Sequence, residues 1–237
     1  MKIKYLTSLL FFILFFVSII ANSQSSNVLV VEINGTIDQS TVEIFEESIN
    51  IAESENSEAI ILLLDTPGGG LQQTFDIADL INESSIPVVG YVYPSGSAAW
   101  SAGTFILISS HVAAMADHTV IGSAQPVEIT PQGTRYINDS KIINALTKWI
   151  ETRADMYNRN KTIAKQFITK NLNLNETLAY DYGVIEFVAT SVEQLIQDIN
   201  GSVIKTSTGE VTINTHYAKQ VQYSPSVSYT HLRAHET

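Results

Sequence analysis

The run AIILLLDTPGGG at residues 59–70 decides the fold. Its first six residues are apolar without polar alternation, the pattern of a strand buried on both faces of a sheet. An aspartate, a threonine, a proline and three glycines then end that strand in a tight turn. Residues 72–81 follow with Phe75, Ile77, Leu80 and Ile81 at helical spacing,. Outward from this segment the alternation repeats. Residues 28–33 (VLVVEI), 87–93 (PVVGYVY) and 112–116 (VAAMA) are further short apolar runs, and residues 40–52 place Val42, Phe45, Ile49 and Ile51 on a helix. Strands alternating with short helices predict an α/β fold of βαβ units joined by right-handed crossovers.

The second half of the 237-residue chain reads as helical. A helix capped by Ser140 would carry Ile142, Ile143, Leu146, Trp149, Ile150 and Met156 along one side,. Shorter helices are expected over residues 162–168, 177–182 and 191–199. Gly183 ends the second of these, and residues 184–188 return to strand. Residues 201–226 are polar and threonine-rich with weak alternation, which predicts a small β extension or a linker,.

The ends differ from this body. Lys2 and Lys4 precede the apolar stretch LLFFILFFVSII at residues 9–20, and Ala21 and Ser23 offer small residues for a cleavage site. Residues 1–23 therefore read as a signal peptide or an N-terminal membrane anchor. Either way the leading lysines place the rest of the chain across the membrane, on the extracytoplasmic side. Residues 227–237 (VSYTHLRAHET) resemble the translation of a sequencing adaptor, so the natural chain is expected to diverge near Ser226. His231 and His235 are accordingly not considered as ligands.

Composition narrows the function. A formal net charge of −11 without a local basic patch speaks against binding a nucleic-acid backbone,. The absence of cysteine removes disulfides, thiolate nucleophiles and iron–sulfur clusters,. No dinucleotide or Walker glycine motif occurs. His111, His118 and His216 are scattered without metal spacing and read as packed or solvated, so neither cofactor nor metal is expected,. Two segments remain. The glycines after Asp65 bare backbone N–H groups at a helix entrance, the geometry an oxyanion hole requires, or else form a bare tight turn,. Residues 94–104 (PSGSAAWSAGT) hold serines beside a helix start; the small residues would equally serve close packing against the sheet. A nucleophilic serine needs a base. Lys141, in the first turn of the long helix, is a candidate because a cation there opposes the helix macrodipole and burial would favour its neutral form further. Lys148, Lys161, Lys165 and Lys170 read as solvated charges.

Taken together, the leader, the turn at Asp65-Thr66-Pro67-Gly68-Gly69, Ser101-Ala102-Gly103-Thr104, His111, Ile121-Gly122 and a lysine opening a long helix resemble the NfeD family. So do Thr169-Lys170-Asn171-Leu172 and Gly183-Val184-Ile185-Glu186. These are membrane-bound serine proteases of the ClpP class. The resemblance covers about residues 27–199, and a protease domain at residues 27–200 follows from it. It implies a ClpP/crotonase-like α/β fold of repeated β-β-α and βαβ units with a helical second half. It also implies an endopeptidase that cleaves apolar peptide segments, a stomatin-like membrane protein among its substrates, and self-association into a dimer or larger ring. Carried onto this sequence, the nucleophile is Ser101, the general base Lys141, and the oxyanion donors are the N–H groups of Gly68 or Gly69 and of Ala102. Two positions depart from the family. Trp100 stands where a small residue is usual and should narrow the substrate pocket. Asn171 stands where a carboxylate able to steady the lysine is expected. Trp100 keeps open a second reading, a protease-fold scaffold that binds a stomatin-like partner without cutting it. The Pro-Gly-Gly turn alone also occurs in crotonase enzymes acting on acyl-CoA, against which the export leader argues.

Overall fold

The computed structural model describes residues 26–224; the expected leader and the adaptor-like end lie outside them. Strands β1 (Asn27–Asn34), β2 (Ala59–Asp65), β3 (Val88–Val92), β5 (Val112–Met115), β10 (Phe187–Val188) and β13 (Lys219–Gln222) form a six-stranded sheet in the order β10-β5-β3-β2-β1-β13. Each neighbouring pair in it is parallel. Parallel pairing demands a covered crossover between successive strands, and the helices supply it. Helix α1 (Gln39–Glu55) links β1 to β2, α2 (Leu71–Glu83) links β2 to β3, and α3 (Ala102–Ser109) lies between β3 and β5.

The two faces of the sheet explain the unbroken apolar runs. Leu29, Val31, Ile33, Ile60, Leu62 and Leu64 point to one side, into the core shared with α1 to α3 and with α4 (Ser140–Met156) and α5 (Lys161–Thr169). Val28, Val30, Ile61, Leu63, Val89 and Tyr91 point to the other, where α7 (Val192–Asp198) lays down Val192, Leu195 and Ile196. Both faces are covered over most of their length, so both sets of alternating positions are apolar until near the end of β1, where Glu32 is exposed,. Gly90 is the exception that brings α3 close: a Cβ there would lie 2.5 Å from Ser110 Oγ and 3.1 Å from a Leu107 methyl.

Most differences from the sequence reading are short elements. Strands β4 (Ala98–Trp100), β6 (Val120–Gly122) and β9 (Asn173–Asn175) make a three-stranded sheet, and β7 (Val127–Thr130) pairs with β8 (Gly133–Tyr136) in a hairpin. Helix α6 (Glu176–Asp181) follows β9. The cap of α4 is Asp139, not Ser140: its carboxylate accepts the N–H groups of Lys141 at 2.8 Å and Ile142 at 3.4 Å. The carboxylate adds charge to the capping bond at the positive helix end, which a serine hydroxyl lacks. The expected strand at residues 184–188 shrinks to Phe187–Val188, because Val184 N–H and Ile185 N–H bond to Ala179 C=O and wrap the end of α6. The threonine-rich segment folds as a hairpin of β11 (Val203–Thr206) and β12 (Gly209–Thr212), after which β13 runs along β1.

Candidate active site

Ser101 lies where β4 breaks into α3. It is the N-cap of that helix and has φ 50° and ψ −112°, a positive φ that non-glycine residues seldom adopt,. Its N–H donates to Gly122 C=O at 2.9 Å, fixing it against β6. Thr104, fully buried one turn on, reinforces the joint. Its hydroxyl oxygen lies 2.7 Å from Ala99 C=O and 3.0 Å from Gly122 C=O, and it accepts Gly122 N–H at 2.8 Å. Gly103 lets the first turn of α3 press on Thr66, whose Cγ2 would lie 2.5 Å from an added Cβ. Holding a residue in such a conformation costs about 1–3 kcal/mol, so the surroundings must over-determine it.

Opposite Ser101 is the glycine turn. Gly68 has φ 117°, and a Cβ on it would come 2.8 Å from Ser101 Cβ and 3.3 Å from Ser101 Oγ. Ile37 N–H donates to Gly68 C=O at 3.0 Å, and Gly70 N–H donates to Ile37 C=O at 2.9 Å. That parallel bridge turns the Gly69 N–H and C=O away from Ile37,. Gly68 N–H is committed to Thr66 Oγ1 at 3.0 Å. Among the described residues no acceptor takes the N–H groups of Gly69 or Ala102. The glycine expectation of the sequence therefore divides: Gly68 makes room for the serine, and Gly69 keeps an open donor.

Trp100 is exposed at the end of β4 and stacks on no other ring among the described residues. Lys141 stands exposed in the first turn of α4, and among the described residues no hydrogen bond joins its Nζ to Ser101. Between the two, the chain leaves β6, forms the β7–β8 hairpin and enters α4. The base of that hairpin is closed by Ile137 N–H to Pro126 C=O at 2.9 Å and by Gln125 Nε2 to Asn138 Oδ1 at 3.3 Å. Asn171 sits at φ 51°, a left-handed conformation that asparagine tolerates, and accepts Gln125 N–H at 3.5 Å,. It thus supports the stretch leading to Lys141 through backbone, whereas the sequence reading sought a carboxylate there. His111 is packed, not solvated: Val88 N–H donates to its Nδ1 at 3.0 Å. Burial, with the nearby charge of Arg159, holds its pKa down at about 4.

Sequence reasoning missed Arg159 and Glu186 as a pair. The guanidinium is buried and bonds the carboxylate through Nε at 2.8 Å and Nη2 at 2.7 Å. Its Nη1 reaches Ile108 C=O and Ser110 C=O, both at 2.8 Å, at the end of α3. Nothing in DMYNRN marks that arginine as buried; Glu186 had appeared only within a matching motif.

The family comparison bears on these features together. Residues 27–206 match the model of the NfeD1b N-terminal domain. This chain belongs to that family. The NfeD1b domain is 44% identical over 179 residues to the membrane-bound protease PH1510 of Pyrococcus horikoshii, covering 75% of this chain and 41% of that protein. It is 32% identical over 108 residues to the membrane protein NfeD1b of Bacillus subtilis, covering 46% and 24% respectively. The matched region thus spans less than half the length of either relative. Among solved structures, it superposes with a TM-score of 0.82 and 40% identity on a lysine-to-alanine mutant of the 1510-N membrane-bound stomatin-specific protease in complex with a substrate peptide. That match covers 86% of this chain and 94% of the other. A serine-to-alanine mutant of 1510-N gives 0.81 and 40%, covering 85% and 99%. The ClpP catalytic domain of Plasmodium falciparum, at 0.53 and 16% identity over 69% of this chain and 86% of the other, shares the fold. The NfeD1b domain therefore has a ClpP-like α/β architecture, and its relatives include named proteases.

Proposed function

We propose that this domain is a serine endopeptidase in which Ser101 is the nucleophile and Lys141 the general base. The observation that carries the reading is the setting of Ser101, which holds a positive φ at a helix N-terminus between Gly68 and Gly122. Two unclaimed N–H groups, those of Gly69 and Ala102, complete that setting. Lys141 takes the Ser101 hydroxyl proton as Oγ attacks a peptide carbonyl. The N–H groups of Gly69 and Ala102 hold the oxyanion, and Lys141 then protonates the departing amine. Water attacks the resulting ester by the same route in reverse and frees the serine. Lys141 has to come within hydrogen-bond reach of Ser101 for this, and in unliganded enzymes such contacts often tighten only when substrate binds.

The substrate we infer is an apolar peptide segment, of the stomatin-like membrane-protein class that 1510-N is named for. Exposed apolar side chains adjoin these residues in sequence: Leu71 after the glycine turn, Trp100 before Ser101 and Ile142 after Lys141, with Val127 paired with Tyr136 on the hairpin that leads to Lys141. An exported, membrane-associated protein agrees with the expected leader and with membrane-bound relatives; self-association as a homodimer or larger ring is part of the same proposal. Among the described residues no helix is long and apolar enough to cross a membrane. The test is cleavage of apolar-rich peptides by the wild type, Ser101→Ala and Lys141→Ala. Each variant should lose at least about 10³-fold in kcat/KM. A wild type that cleaves nothing while all three fold equally would leave the scaffold reading, which exposed Trp100 favours.

A further inference from the structure

Arg159 has a side chain 1% exposed, an environment a charged residue enters almost only when fully paired,. Its bonds reach the ends of two helices and, through Glu186, a strand. Nε and Nη2 grip Glu186, whose Oε2 also accepts Ala113 N–H of β5 at 2.7 Å. Nη1 takes the carbonyls of Ile108 and Ser110, acceptors that the end of α3 leaves without helical partners,. A cation there also complements the negative end of the helix. The backbone of the same residue closes α4: Asn158 turns left-handed at φ 57°, and Arg159 N–H donates to Ala154 C=O at 2.8 Å. Midway, Phe105 of α3 packs on Trp149 of α4 with ring centroids 5.6 Å apart.

The two helices held in this way carry Ser101 and Lys141 at their other ends. Helix α3 has eight residues, all buried, and spans only about 12 Å,. A rod that short passes displacement of its carboxyl end straight to its N-cap. We propose that Arg159 is a positioning residue for the Ser101–Lys141 pair, fastening together the carboxyl ends of the helices whose amino ends bear those side chains; this rests on the peptidase reading above. Glu186 anchors the guanidinium to the sheet, so the nucleophile is referenced to β5 as well as to the base.

The test uses Arg159→Lys, which keeps the charge but cannot span a carboxylate and two carbonyls at once. Glu186→Gln serves as second variant should the first not fold. At a temperature well below unfolding, Arg159→Lys should cut the rate of Ser101 labelling by a fluorophosphonate at least tenfold. It should lower kcat by a similar factor with KM within about twofold. Amide exchange over residues 101–105 should quicken relative to β2. Glu186→Gln should move the same readouts threefold or more. Wild-type labelling and turnover in the folded variants, or exchange that quickens only over residues 108–113, would overturn the positioning role and leave the peptidase reading standing. A wild type that is not labelled at all would overturn both.

Discussion

At Gly68 one absent methyl group separates two effects that substitution usually mixes. The residue combines a φ of 117° with a hypothetical Cβ 2.8 Å from Ser101 Cβ, whereas Gly35 has φ 92° and nothing within 4 Å. Alanine at either position meets backbone strain and should destabilise by about 1–3 kcal/mol. Only Gly68→Ala also pushes on the serine. Denaturant unfolding should therefore show a loss for both variants, the larger for Gly68→Ala, while fluorophosphonate labelling falls at least tenfold for Gly68→Ala and stays within twofold for Gly35→Ala. Equal labelling would mean that the glycine turn does not shape the surroundings of Ser101. These glycines were visible in the sequence because a run of three after an apolar strand has few uses. The division of roles between Gly68 and Gly69 was not, since it depends on which N–H Thr66 Oγ1 captures.

Helix α4 shows what single elements contribute. Asp139 binds two of its first N–H groups, and Lys141 sits in the turn so capped. Asp139→Ala should cost about 1 kcal/mol in stability and depress the proposed peptidase activity several-fold by fraying that turn. Ser140→Ala, already inside the helix, should change stability by less than about 0.5 kcal/mol. Reversal of that order in thermal or denaturant unfolding would return the cap to Ser140. At this scale the long apolar runs were legible as β1, β2, β3 and β5, because strands dry on both faces need no polar alternation. The three-residue strands β4, β6 and β9 were not. Thr104 ties β4 to β6 through Ala99 and Gly122, and β9 joins by its ladder with β6, so no periodicity of their own marks them. Arg159 was hidden for a related reason: its partners stand 27 and about 50 residues away in sequence, and no local pattern joins them.

For the whole molecule, acidity should act partly through His111. Its pKa is held down at about 4 first by burial and then by Arg159, against about 6.5 in an unfolded chain. The unfolded state therefore binds a proton that the folded state refuses. The stability this represents is fully present above pH 6.5, declines as pH falls from 6.5 toward 4, and totals up to about 3 kcal/mol. His111→Asn should flatten that portion of the stability–pH curve measured by urea unfolding; an unchanged slope would assign the acid sensitivity elsewhere. At the same scale, the sheet order and the ClpP-like architecture join Ser101, the glycine turn and the supporting helices around one joint. The most direct measurement of the central claim is fluorophosphonate treatment of the purified chain, followed by peptide mapping in a mass spectrometer. A single adduct on Ser101, absent from Ser101→Ala, is the result this account requires. An unmodified chain, or an adduct on another residue that survives in Ser101→Ala, would contradict it.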